Sequence, residues 1–114
     1  MKSLILSSWK NKGDKLFIYL PTTLTTLKLQ HHYEIKGESF KYLPSSITDL
    51  ELKSLKSLEN EGIKNLPTNI QDLELNYNSE LTNECLNYLP TTLVSLKGMY
   101  GAEINEFKKR IKCY

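Results

Sequence analysis

The stretch Leu43-Pro44-Ser45-Ser46-Ile47-Thr48-Asp49-Leu50-Glu51-Leu52 decides the fold. Leu50 and Leu52 alternate with charged neighbours, the two-residue period of a strand with one buried face. The Leu-Pro pair that opens the stretch recurs at Leu20-Pro21, Leu66-Pro67 and Leu89-Pro90, always 23 residues on, and these pairs hold all four prolines of the chain. Chance does not place every proline at one phase. Four residues past the leucine stand Leu24, Ile47, Ile70 and Leu93; seven past it, Leu27, Leu50, Leu73 and Leu96; nine past it, Leu29, Leu52 and Leu75, with Gly98 breaking the last copy. Counting back 23 from Leu27 and Leu29 gives Leu4 and Leu6, so the sequence opens inside a truncated copy.

The second half of the unit recurs as Ile35-Lys36-Gly37-Glu38-Ser39-Phe40, Leu58-Glu59-Asn60-Glu61-Gly62-Ile63 and Leu81-Thr82-Asn83-Glu84-Cys85-Leu86. The whole unit, L-P-x-x-L-x-x-L-x-L followed by this segment, resembles the leucine-rich repeat family. Its first half is similar to the LPX repeat of bacterial effectors and to the FNIP-type repeat. Its second half is similar to cysteine-containing and ribonuclease-inhibitor-like repeats. One departure stands out: the family's asparagine-ladder position is held by Trp9, His32, Leu55 and Asn78, so only the last copy keeps Asn. The resemblance implies an α/β leucine-rich repeat solenoid that recognises another protein. Effector and F-box relatives couple such repeats to ubiquitin ligation. The resemblance here reaches only a substrate-reading part or a stand-alone competitor.

Composition agrees with one packed domain. The 114 residues are 39% apolar and 25% charged, unlike a disordered chain, and 20 of them are leucine. The net charge is +2, and 14 lysines stand against the single Arg110, which argues against nucleic acid as a partner. No apolar run approaches a membrane span, and Leu4-Ile5-Leu6 stops at Ser7, short of a signal-peptide core. Two cysteines, Cys85 and Cys113, make no disulfide framework. The expectation is an intracellular, cytoplasmic protein. Its Asn-, Lys- and Tyr-rich composition suggests AT-rich coding DNA and suits expression in, or delivery to, a host cell.

The repeat predicts about five short parallel strands at Ser3–Ser7, Thr26–Gln30, Asp49–Lys53, Asp72–Asn76 and Ser95–Met99, making a concave sheet. Short helices or turns on the convex side carry the chain back, because parallel strands need a crossover. The domain runs over 1–114: a truncated repeat 1–19, repeats 20–42, 43–65 and 66–88, and a last repeat with its cap, 89–114. Ala102, Ile104, Phe107 and Ile111 fall near helical spacing, so Glu103–Cys113 is expected to be a capping helix. No matching cap is visible at the other end. Its first strand is an open edge unless Trp9 and Phe17 cover it.

Residues flanking the strand leucines face the concave side. Lys28, Glu51, Glu74 and Lys97 form the central column after Ile5. Asp49 and Asp72 belong to the column before it, and Lys53 and Asn76 to the column after it. Asp49, Glu51, Asp72 and Glu74 thus form a carboxylate patch bracketed by Lys28 and Lys97. It is the expected docking face for a basic segment of a protein partner; the competing reading is a solvated sheet face. Trp9 is either a plug for the first turn or an interface anchor, and a homodimer through the N-terminal edge is the structural alternative. His31-His32 lacks a third ligand nearby, so no metal is expected. Cys85 reads as a small core residue and Cys113 as an exposed thiol beside Lys112. Tyr19, Tyr42 and Tyr88, just before Leu-Pro, read as a packing ladder across repeats, with a convex aromatic binding strip as the competing reading. No phosphate loop, nucleophile elbow or zinc motif is present, so neither enzyme activity nor a cofactor is expected.

Overall fold

The computed structural model describes residues 2–7, 17–31, 35, 37–99 and 112–113. Among them six strands form one parallel sheet in sequence order: β1 Ser3–Ser7, β2 Thr26–Gln30, β3 Asp49–Lys53, β4 Asp72–Glu74, β5 Ser95–Lys97 and β6 Lys112–Cys113. The first five strands keep one register, Leu4–Leu27–Leu50–Leu73–Leu96, as the 23-residue repeat requires. A one-residue slip would turn every leucine outward. β4 and β5 are two residues shorter than expected, three residues each. Leu75 still donates its N–H to the Lys97 carbonyl at 2.8 Å, but Gly98 then turns away at φ 92°. A Cβ on Gly98 would lie 2.6 Å from Asn76 Oδ1, so the break in the leucine column is also where a side chain has no room.

The return path is made of 3₁₀ helices, Glu38–Tyr42, Asn60–Asn65 and Asn83–Tyr88. Each ends at the leucine before a proline, where Leu43, Leu66 and Leu89 take extended backbone with ψ 142–148°. The proline ring disfavours helical backbone at the residue before it. A 3₁₀ turn rises ~2.0 Å per residue against ~1.5 Å in an α-helix, so few residues cover the way back.

Leucine, isoleucine and phenylalanine fill the space between sheet and return path. Leu24, Leu27, Leu29, Ile47, Leu52, Ile63 and Ile70 are wholly buried, and the rings of Phe17 and Phe40 lie 6.2 Å apart in the core. Burying such a side chain stabilises by roughly 1.5–3 kcal/mol, but here it needs the adjacent repeat to complete the burial. Leu4 and Leu6, with a repeat on one side only among the described residues, stay partly exposed although they pack on the core.

Buried backbone groups are met by two different devices. Asn78, itself buried, accepts from the Leu55 N–H at 2.8 Å and donates to the Leu52 carbonyl at 2.7 Å, in the repeat before it. A second ladder runs through the third residue after the leucine of the last three Leu-Pro pairs. Ser46 Oγ donates to the Leu24 carbonyl, Asn69 Nδ2 to Ser45 O at 2.9 Å, and Thr92 Oγ1 to both Thr68 O and Ile70 O at 2.7 Å. Every one of these bonds reaches back one repeat.

Two expectations change. The helix over Glu103–Cys113 lies outside the described residues except for its last two, and those form β6, with Lys112 opposite Ser95 and Cys113 opposite Leu96. The outer ladder groups of β5 draw this pair into the sheet, a pull that outweighs helical spacing at the end of the segment. The tyrosine ladder also fails at two of its three positions: Tyr19 and Tyr42 are exposed, and only Tyr88 packs against the core. Tyr42 instead lies under the Lys41 ammonium, 5.2 Å from the ring centre. Cys85 is buried as expected, and burial pushes its thiol up to about 11.

Candidate functional site

The concave face holds a shallow hollow of about 410 Å³ floored by β2 to β5. Its centre is set by register. Asp49 stands opposite Asp72, and Glu51 opposite Glu74. Lys28 stands opposite Glu51 on one side and Lys97 opposite Glu74 on the other. The carboxylate quartet and its lysine brackets are therefore brought together as the repeat spacing implies. Facing residues on neighbouring strands lie ~4.8 Å apart, close enough for like charges to repel.

The acids respond by pairing. Glu74 is held above the ordinary glutamate range, first by its hydrogen bond to Glu51 and then by burial. For Glu51, burial pushes upward, but hydrogen bonds with Glu74 and Gln30 and the charges of Lys28 and Lys53 together leave it lowered. Of the two, Glu74 holds its proton to higher pH and Glu51 releases its own earlier. Asp49 is raised by burial and by the neighbouring Asp72 carboxylate. Asp72 accepts a hydrogen bond from Ser95 Oγ across the next strand.

The rim is set by the corners after the strands. Gln30 Nε2 donates to Glu51 Oε2, which orients that carboxylate. Lys53 Nζ lies 5.8 Å from the centre of the exposed Tyr77 ring, and Asn76 hydrogen-bonds Glu74. His31, Ser54 and Tyr77 take left-handed backbone at φ 58–61°, one per repeat, at the corner where the chain leaves the sheet. Gln30 and Ser95 belong by spacing to the outer concave columns but are not among the expected docking residues, and Tyr77 is in neither group. Column position gives the first two away. Tyr77 is out of phase with Tyr19, Tyr42 and Tyr88 and shares its place in the repeat with Tyr100, 23 residues on.

Trp9 and His32 lie outside the described residues, and His31 is exposed. Among the described residues no group of three or more His, Cys, Asp or Glu side chains is placed to hold a metal ion. No helix among them is long and apolar enough to cross a membrane.

No family model and no curated protein matches the chain. Among solved structures it is similar to the leucine-rich repeat-containing protein LegL7 from Legionella pneumophila, with a TM-score of 0.62 and 21% identity. That match covers 95% of this chain but only 38% of the other, so the chain spans well under half the length of that protein. The likeness establishes the leucine-rich repeat solenoid as the fold.

Proposed function

We propose that the chain is a non-enzymatic protein-interaction module that receives a basic segment of a partner protein on its concave face. Asp49, Glu51, Asp72 and Glu74 take the incoming Lys or Arg side chains. Lys28, Lys53, Asn76 and Lys97 frame the segment and limit its length. The observation that carries this reading is the register that sets Glu51 against Glu74 and Asp49 against Asp72 in the floor of the hollow. Repulsion between stacked carboxylates is relieved when a cation settles between them, so binding gains from a strain already present. A solenoid sheet also offers extended contact area and no enclosed cleft for chemistry.

The test is titration of a fluorescent Lys/Arg-rich peptide into the protein at low and at physiological salt. Binding that weakens as salt rises is expected. Glu51→Lys with Glu74→Lys should weaken it by at least about tenfold while the circular dichroism spectrum is unchanged. A charge-reversed variant that binds as well as the natural sequence would place the interaction on another surface.

A further inference from the structure

Tyr77 is a costly residue where it stands. His31, Ser54 and Tyr77 fill the same corner of successive repeats, and the corner holds each in left-handed backbone at φ 58–61°. Gly or Asn adopts that conformation readily, whereas in a bulky residue it costs stability. The Tyr77 ring is 75% exposed, so its own burial offsets little of that cost. The ring does have a neighbour. Lys53, the last residue of β3, carries its Nζ to 5.8 Å from the ring centre, within range of a cation–π attraction. The charge of Lys53 also acts on Glu51, two residues back on the same face of β3. One ammonium is thus shared between a carboxylate and an aromatic ring, the two kinds of group that attract a cation, at the margin of the concave face.

We infer that Tyr77 is a specificity-determining residue of the concave face: its ring and the Glu51 carboxylate form a seat for one arginine of the partner's basic segment, and Lys53 is the seat's occupant in the free protein. This rests on the reading of the concave face as the receiver of such a segment. Arginine fits the seat better than lysine. A guanidinium is planar and weakly hydrated, so it stacks on a ring face while its N–H groups reach a carboxylate. An ammonium is a compact, strongly hydrated point charge and loses more water on entering. Lys53 is tethered by its own strand, and its flexible stem lets the ammonium swing into solvent when a guanidinium takes its place. The acids of the hollow then supply attraction for any basic segment, and the ring at its margin supplies the preference among them.

Two fluorescent peptides of equal length and charge, one Arg-rich and one Lys-rich, are titrated into the full chain and its variants at several salt concentrations. Tyr77→Asn, which suits the left-handed corner, should weaken the Arg-rich peptide about two- to fivefold and the Lys-rich one less. Its dependence on salt should stay that of the natural chain, because no formal charge is lost. Tyr77→Phe keeps a ring and should bind like the natural chain. Lys53→Met should tighten the Arg-rich peptide, and by more than it does in a Tyr77→Asn background. A Tyr77→Asn protein that binds both peptides as the natural chain does overturns the seat and leaves the concave reading standing. So does equal weakening of the two peptides, or a Tyr77→Phe protein that loses as much as Tyr77→Asn. A natural chain that takes up neither peptide at any salt concentration overturns the concave reading and the seat with it.

Discussion

Asn78 and Ser46 perform the same task by different means. Each satisfies backbone of the preceding repeat, but Asn78 is buried and meets both a donor and an acceptor, while Ser46 meets one carbonyl nearer the surface. Asn78→Ala leaves the Leu55 N–H and the Leu52 carbonyl without partners away from water, and should lower unfolding stability by about 2–3 kcal/mol. Urea denaturation checks this, with Asn69→Ala, at an exposed rung of the other ladder, expected to lose less than about 1 kcal/mol. Asn78 was legible because it sits at the family's ladder position. Ser46, Asn69 and Thr92 were not, since Ser, Asn and Thr after proline look like any turn. At Glu74 the raised carboxyl has a consequence for pH. Its folded form prefers the proton, so it contributes stability below the ordinary glutamate range and loses it as pH rises through its own titration. Glu74→Gln, a fixed neutral form, should stabilise by a few tenths of a kcal/mol at pH 7, with the gain vanishing below about pH 4. Thermal melts at the two pH values measure it.

Strands and turns differ in how openly the sequence displays them. β1, β2 and β3 match their predicted limits residue for residue, because alternation of Leu with polar neighbours fixes both period and face. β6 was hidden. Two residues are too few to show a period, and Lys112 lies 17 residues after Ser95 instead of the 23 between its predecessors. The convex segments showed their apolar edge but not their 3₁₀ character, which comes from the distance to be covered rather than from any residue preference. Because the strands share one core, damage to one spreads. Leu52→Ala removes a wholly buried side chain and should cost about 2–5 kcal/mol. Hydrogen exchange should then show lost protection in repeats 20–42 and 66–88 as well as in its own; loss confined to 43–65 would contradict the shared core.

At the scale of the whole molecule, the repeat register decides what the inner face presents. The sheet puts side chains from five strands into parallel columns, and the carboxylates fall where β3 and β4 cross the middle of those columns. This much of the candidate site could be read from spacing alone, since register follows the repeat. Which acid holds its proton to higher pH could not, because it depends on Gln30 and Lys28 approaching Glu51 from β2 and on Lys53 beside it on β3. The ladders that reach back a single repeat have one more consequence, and it concerns inheritance. A duplicated block of 23 codons, spliced in at a Leu-Pro boundary, would present on each side the rungs its neighbours already accept. The concave sheet would lengthen by ~4.8 Å with each duplication. Such a gene can grow or shrink its reach while every intermediate still folds, and new charge patterns can be tried on the copy while the original keeps its own.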